Sequence, residues 1–132
     1  MSCVFCKIVA GEEFSITFYE WTDTVAFLPL DPVTEGHVLF VPREHVTAAH
    51  EAPEVAAQVA RRAAEWARAA QIVAQHREGT AAEYNLITSY GPAATQTIGH
   101  LHFHYVPRRP GDGLALPWTG QHIPDTEKEN KS

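Results

Sequence analysis

A run of alternating histidines, His100-Leu101-His102-Phe103-His104, constrains this chain more than any other feature. Successive side chains of a β-strand point to opposite faces of the sheet, so the run predicts a strand with three imidazoles on one face. Leu101, Phe103 and Tyr105 then lie on the other face, where a hydrophobic core would contact them. Three titratable rings on one rigid element favour a site that handles a proton, a phosphorus centre or a metal ion over a solvated edge strand rich in histidine.

The composition is that of a globular protein with one core. The chain has 132 residues, 45% of them hydrophobic and 20% charged, which fits a single domain. It has neither an apolar run of the ~20 residues that span a membrane nor a signal-peptide pattern, so we expect a cytoplasmic protein with no membrane partner. A formal net charge of −6 argues against nucleic-acid binding. It is compatible with an anionic small molecule, because loop amides and imidazoles act at short range.

The remaining apolar patterns predict an α+β domain with a mostly antiparallel sheet. Four further strands are expected at residues 15–20, 25–28, 37–41 and 84–89. The third of these is almost continuously apolar, which suggests a central strand covered on both faces.

One long helix is predicted between Pro53 and His76. Proline suits the first turn of a helix, and Gly79 follows the last turn, where a C-cap is expected. Its apolar stripe, which we expect to pack on the sheet, includes Val55, Val59, Trp66, Ile72 and Val73. We assign residues 1–110 to the domain and residues 111–132 to a C-terminal extension, whose polar end, 125–132, is expected to be disordered.

The only cysteines, Cys3 and Cys6, form a Cys-x-x-Cys motif. A disulfide across so short a loop would add little stability, and a cytoplasmic setting disfavours it. A thioredoxin-like redox motif should follow a strand, and no strand precedes these residues. Three interpretations stay open: half of a zinc site, a redox pair, or two small apolar residues.

The histidine run itself supports two mechanisms. In one, its imidazoles bind a zinc ion that performs hydrolysis, which normally also requires a nearby base. In the other, the middle imidazole is a nucleophile, because neutral imidazole attacks phosphorus and is afterwards a good leaving group. The preceding loop, residues 91–99, favours the second mechanism. Its small residues let backbone N–H groups approach a phosphate, and Thr95, Gln96 and Thr97 add neutral donors.

The run resembles the signature of the histidine triad (HIT) family of nucleotide-binding proteins and hydrolases, His-φ-His-φ-His-φ-φ. The segments 3–12, 32–45 and 96–97 also resemble that family, in the same order and spacing. The chain is similar in particular to bacterial members with a Cys-x-x-Cys motif. The resemblance implies a HIT-like fold: a five-stranded, mostly antiparallel sheet with one long helix and a short N-terminal helix.

The resemblance also implies nucleotidyl transfer in two steps. His102 would attack the α-phosphorus of a nucleotide to form a nucleotidyl-histidine, and water would then release the nucleoside monophosphate. The backbone carbonyl near His100 would hold the Nδ1 proton of His102, and His104 would contact the phosphoryl oxygens and assist the leaving group. Expected substrates are purine nucleoside phosphates, and phosphoramidates, dinucleoside polyphosphates and nucleotide sugars all stay open. The alternative is a nucleotide-binding regulatory module with little turnover.

The same resemblance implies a set of substrate-binding residues. His37 would lie beside the phosphates, Gln96 and Thr97 would form the phosphate loop, and Ser89 occupies a position where the family carries Asn or Gln. The residues that match the family's base pocket are Val4, Phe5, Ile8, Phe27, Leu30 and Leu39. Pro29 stands where the family usually has the Asp or Asn that binds the ribose, and proline has no side-chain hydrogen-bonding group.

A structural zinc ion is also implied, with Cys3, Cys6, His45 and His100 as ligands and His50 as a less well matched substitute for His45. Four protein ligands leave no open position, as a structural site requires. No organic cofactor is expected. The family forms homodimers through the long helix and a neighbouring strand, so the resemblance implies a homodimer.

Overall fold

The computed structural model describes residues 3–118, which form a five-stranded sheet, one long α-helix and one short α-helix. In chain order the elements are α1 (Val4–Val9), β1 (Thr17–Glu20), β2 (Thr24–Phe27), β3 (Val38–Pro42), α2 (Pro53–Glu78), β4 (Tyr84–Ile87) and β5 (Phe103–Pro107). Single 3-10 turns precede α2 and follow β4. The predicted α+β architecture, including the short N-terminal helix, is confirmed.

The sheet places the histidine strand next to its centre. The strand order is β1-β2-β3-β5-β4, and every neighbouring pair is antiparallel. His104, on β5, pairs with Leu39 of β3 on one side and with Ile87 of β4 on the other. A side chain in this position is held by hydrogen-bonded backbone on both sides, so its location is well defined.

β3 is covered on both faces, as its apolar sequence predicted. Val38 and Phe40 are buried against residues of α2, whereas Leu39 and Val41 are buried on the opposite face with Phe5 of α1. Burying one such side chain contributes about 1.5–3 kcal/mol. The sheet therefore separates a face that only supports the structure, under α2, from a face that α1 leaves partly open.

Helix α2 begins at the predicted proline and ends two residues later than predicted. Gly79 adopts φ +66° and donates its backbone N–H to the carbonyl of Gln75, which caps the helix. This left-handed conformation favours glycine. Within residues 3–118, neither α2 nor α1 has the length and apolar character needed to cross a membrane.

The packed stripe of α2 is shorter than predicted. It runs from Val59 to Ala70. Ile72 and Val73 lie beyond it and are 65% and 50% exposed, so the prediction that they pack on the sheet is wrong. Ile72 in particular points about 140° away from Val59 around the helix axis.

The histidine run enters the sheet only at Phe103, so the prediction of a strand is wrong for the first three residues of the run. The backbone of these residues has other partners. Leu101 donates its N–H to the carbonyl of Val46 at 2.7 Å, and the carbonyl of His102 accepts a hydrogen bond from the hydroxyl of Thr88 at 2.8 Å. Groups used in this way cannot join a β-ladder.

Residues 112 and 114, at the start of the predicted extension, stay bound to the domain through Arg108. Arg108 donates to both carboxylate oxygens of Asp112, at 2.8 and 3.1 Å, and also to the carbonyl of Leu114 and the side chain of Asn85. The guanidinium lowers the pKa of Asp112 well below its usual range. The predicted extension thus begins with residues attached to the domain. Its predicted disordered end, 125–132, lies outside the described residues.

Candidate functional site

A cleft of about 550 Å³ lies on the α1 side of the sheet. His102, His104 and Thr97 contribute the polar part of its lining together with Ser15 and Asp31. The apolar part comprises Val4, Phe5, Ile8, Phe14, Ile16, Phe27, Leu28, Pro29, Leu30, Leu39 and Ile98. All six residues of the predicted base pocket belong to it. The structure thus brings together the histidines, the loop hydroxyl and the apolar set that were assigned separately.

The tautomer of His102 is determined by the backbone. Its Nδ1–H donates to the carbonyl of His100 at 2.9 Å, which is the contact expected from the sequence. Nε2 is therefore the nitrogen with the free lone pair. Burial lowers the pKa of His102 below its ordinary value, and the hydrogen bond opposes this only in part. The ring is accordingly neutral near pH 7, as a nucleophile must be.

His37 and His104 form a directed hydrogen-bonded pair. The backbone N–H of Val33 donates to Nδ1 of His37 at 3.1 Å, so neutral His37 carries its proton on Nε2. That proton is donated to Nδ1 of His104, 2.9 Å away, which leaves His104 with an N–H on Nε2. Burial, with His102 and His37 nearby, lowers the pKa of His104 to about 4. His104 can therefore donate a hydrogen bond without carrying a charge.

The loop before the histidine run is held by the side chain of Gln96. Its Oε1 accepts the N–H of Gly91 at 2.9 Å and its Nε2 donates to the carbonyl of Thr47 at 2.9 Å. Thr95 adopts a left-handed conformation, φ +66°, within this clamp, and Thr97 follows at the cleft. Among the described residues, the cleft lining includes neither Gln96 nor Ser89. Direct contact of either side chain with a substrate stays a prediction.

A second cluster lies beside the cleft and could hold a metal ion. Cys3, Cys6, His45 and His100 each present one ligand atom, and these atoms lie within 4.8 Å of one another. The two sulfurs are 3.4 and 3.5 Å from Nδ1 of His100, and Nδ1 of His45 is 3.2 Å from the Cys6 sulfur and 3.1 Å from Nδ1 of His100. A tetrahedral zinc site places sulfur and nitrogen ligands about 3.6 Å apart and two nitrogens about 3.3 Å apart. The cluster therefore fits zinc.

The buried ligand of this cluster is also oriented by the backbone. Nε2–H of His100 donates to the carbonyl of Pro42 at 3.0 Å, so Nδ1 is the unprotonated nitrogen and faces the cysteines. His100 is fully buried, and burial lowers its pKa. A neutral ring with its second nitrogen bonded to a carbonyl is typical of a metal-ligating histidine. His50, the weaker candidate, instead packs edge-on against Tyr90, with ring centroids 4.6 Å apart.

Several groups that shape the site were not identified from the sequence. The carbonyl of Pro42 and the N–H of Val33 set the tautomers of His100 and His37, and backbone groups have no residue-type signal. Phe14 and Ile16 line the cleft before β1. Ile16 falls within the predicted strand 15–20, which accounted for its apolar character, and no sequence pattern singled out Phe14.

Comparisons with known proteins agree with this geometry. The model of the HIT domain family matches residues 10–111. Adenosine 5'-monophosphoramidase hnt1 of Schizosaccharomyces pombe is 31% identical over 132 residues, covering 96% of this chain and 90% of that protein. The histidine triad nucleotide-binding protein of Candida albicans superposes with a TM-score of 0.76 at 28% identity, over 98% of this chain and 91% of that one. A zinc-bound histidine triad family protein of Mycobacterium smegmatis gives 0.71 at 34% identity, over 99% and 89%. The chain belongs to the HIT family.

Proposed function

We propose that this protein is a nucleotide hydrolase that transfers a nucleotidyl group to His102 and then to water. The observation that carries the proposal is the fixed tautomer of His102, whose Nδ1–H is bound to the His100 carbonyl while the ring lines the cleft. The relative from S. pombe is named as an adenosine 5'-monophosphoramidase, and a relative from Arabidopsis thaliana, 33% identical, is named as an adenylylsulfatase. Both names support a nucleotide substrate.

In the proposed first step, Nε2 of His102 attacks the α-phosphorus and forms a nitrogen–phosphorus bond. The bond between phosphorus and the leaving group breaks, and the leaving group takes the electron pair. Nε2–H of His104 is the donor available to the phosphoryl oxygens or the leaving group, because its Nδ1 already accepts from His37. The hydroxyl of Thr97, which also lines the cleft, adds a second neutral donor.

In the proposed second step, water attacks the same phosphorus atom and gives up one proton to the solvent. The bond to His102 breaks, its electron pair returns to Nε2, and the nucleoside monophosphate is released. Neutral imidazole is regenerated because burial keeps the pKa of His102 low. The apolar residues Phe5, Phe27 and Leu39 would contact the faces of a flat base such as a purine.

The experiment uses adenosine 5'-phosphoramidate, from which the reaction yields AMP and ammonia. Rapid quench followed by intact mass measurement should show a protein species heavier by one adenylyl group in the wild type. The His102→Ala variant should show no such species, whereas His76→Ala, which removes an exposed histidine of α2, should behave as the wild type does. An adduct of equal abundance in His102→Ala would contradict the covalent mechanism.

We propose further that the four-residue cluster holds a structural zinc ion. Zinc in such a closed set of ligands supplies a structural link and no reacting group. Cys3 and Cys6 would connect the N-terminal segment to His100, which directly precedes the reacting histidines. Metal analysis of the purified protein should find one zinc per chain, and less than a tenth of that in a Cys6→Ser, His45→Ala double variant.

Pro29 favours a second candidate function, a nucleotide-binding regulatory module with little turnover. It lines the cleft and offers a ribose no side-chain hydrogen bond, so the nucleotide would be positioned less firmly for reaction. Calorimetric binding of AMP without detectable hydrolysis of the phosphoramidate at saturation would support this candidate over the first.

We also propose that the protein forms a homodimer through α2 and β4. β4 is an edge strand of the sheet, and Tyr84 on it is 40% exposed. Ile72 and Val73 of α2 are exposed apolar residues, which are typical of an interface. Sedimentation equilibrium should give twice the chain mass for the wild type and the chain mass for a Val73→Glu variant.

A further inference from the structure

Helix α1 is too short to be stable without contacts to the rest of the protein. It has six residues, whereas isolated helices shorter than about 12–15 residues are marginal in water. Phe5 is its only buried residue and is 4% exposed. Contacts outside the helix must therefore keep α1 against the sheet.

The two cysteines of the metal cluster provide such contacts at the start of α1. Cys3 is the N-cap, and its sulfur accepts the backbone N–H of Cys6 at 3.4 Å. Both sulfurs also approach Nδ1 of the buried His100. A metal ion bound by this set would tie the first turn of α1 to the segment that leads into β5.

The same helix forms one wall of the cleft, through Val4, Phe5 and Ile8. The ring of Phe5 stands edge-on to two histidines, with its centroid 5.2 Å from His102 and 5.8 Å from His100. One side chain thus contacts both the proposed nucleophile and a metal ligand.

We infer that Phe5 is a positioning residue that couples metal binding at the Cys3–Cys6–His45–His100 cluster to nucleotide binding in the cleft. The inference rests on the proposed function. When the metal is bound, α1 is docked and Phe5 packs beside His102. When the metal is removed, α1 loses its link, the cleft loses a wall, and the nucleotide binds more weakly. Coupling of this kind is reciprocal, so the nucleotide must strengthen metal binding by the same factor.

The test measures four affinities on the full chain. Calorimetry gives the Kd of AMP for the zinc-loaded and the chelator-treated wild type, and competition with a chromogenic chelator gives the Kd of zinc with and without AMP. We expect AMP to bind at least about fivefold more weakly without zinc, and zinc to bind more tightly with AMP by the same factor. Equal AMP affinities for the two forms would contradict the inference alone. Failure of the zinc-loaded protein to bind AMP would contradict the proposed function as well.

Two matched variants test the role of Phe5. Phe5→Leu should retain one zinc per chain but reduce the coupling factor towards one. Phe14→Leu makes the same chemical change at a cleft residue that is 87% exposed, and it should leave the coupling factor at the wild-type value. An unchanged factor in Phe5→Leu, or an equal reduction in both variants, would overturn the assignment.

Hydrogen exchange provides a readout that needs no nucleotide. Removal of zinc should speed the exchange of the amides of residues 7–12, which hydrogen-bond within and just after α1, by a larger factor than the exchange of the α2 amides. Loss of protection of equal size in both helices would contradict the inference, because the metal would then stabilise both helices alike and not the cleft wall in particular. Unchanged protection of α1 would contradict it too.

Discussion

His100 and His102 are two residues apart and differ in which ring nitrogen the backbone holds. In His100 the carbonyl of Pro42 accepts from Nε2–H, which leaves Nδ1 for the cysteine cluster. In His102 the carbonyl of His100 accepts from Nδ1–H, which leaves Nε2 for the cleft. Burial lowers the pKa of both rings, so neither owes its role to charge. One residue type can thus serve as a proposed metal ligand or as a proposed nucleophile, according to which ring nitrogen is bonded to a backbone carbonyl.

The surroundings of the two rings also differ. The free nitrogen of His100 faces Cys3, Cys6 and His45 in a cluster of four residues that could hold a metal ion. The ring of His102 lines an open cleft of about 550 Å³. Substitutions should accordingly have different consequences. At the cluster they should lower stability, and at the cleft they should lower the rate of catalysis.

The largest effect is expected at His102. The His102→Ala variant should lower kcat/KM for adenosine phosphoramidate by about 10⁴-fold or more, because it removes the proposed nucleophile. Its melting temperature should stay within about 5 °C of the wild type, since the lost ring partly faces the cleft. Steady-state kinetics and thermal unfolding measure both quantities. The His76→Ala variant is the matched control. If His102→Ala turned over the substrate at more than a tenth of the rate of His76→Ala, the proposed distinction between His100 and His102 would be wrong.

At the cluster, Cys6→Ser should lower the free energy of unfolding by about 2–4 kcal/mol, because a serine hydroxyl is a poor zinc ligand. Urea unfolding of the zinc-loaded protein measures the change. Chelator should destabilise the wild type by a similar amount and add little to the loss in the variant. A variant that kept both stoichiometric zinc and wild-type stability would show that this thiol is not a ligand.

Acid should destabilise the protein by favouring protonation of His37 and His104, the hydrogen-bonded pair beside the cleft. The pKa of His104 is about 4 and that of His37 is also lowered, chiefly by burial, whereas both rings take up protons near pH 6.5 in the unfolded chain. Their contribution to stability is therefore complete above about pH 6.5 and is lost as the pH falls towards 4.

Over that interval the wild type should lose about 2 kcal/mol more than a His104→Asn variant, a value reduced to allow for the partial exposure of the ring. Urea unfolding at about pH 7 and about pH 4.5 compares the two proteins. Equal losses of unfolding free energy in the wild type and in His104→Asn would mean that the fold does not hold His104 in its neutral form.

The smallest effect is expected at Gln96, whose side chain holds the loop before the histidine run. Gln96→Ala removes the hydrogen bonds to Gly91 and Thr47 and should cost about 1 kcal/mol of stability. Because Thr97 is then positioned less firmly, kcat/KM should fall by about tenfold or less. Gln75→Ala, on the exposed surface of α2, is the control for kinetics and unfolding. A loss of several hundredfold would instead indicate that Gln96 contacts the substrate.

Side-chain periodicity and family resemblance predicted which residues meet, but not how their rings are bonded. The apolar run of β3 predicted a strand covered on both faces, and the resemblance predicted the four members of the metal cluster. The strand through His100 was not correct, because Val46 and Thr88 take up the backbone groups of that segment. Nor could any residue pattern reveal the carbonyl of Pro42, since its position depends on where β3 ends against the histidine run.

The tautomers of the two histidines are open to direct observation by nitrogen-15 NMR of histidine-labelled, zinc-loaded protein near pH 7. Long-range proton–nitrogen correlations distinguish a protonated ring nitrogen from one with a free lone pair. The account predicts that His102 carries its proton on Nδ1 with Nε2 free, and that His100 carries its proton on Nε2 with Nδ1 bound to the metal. The same tautomer in both rings, or a proton on Nε2 of His102, would contradict it.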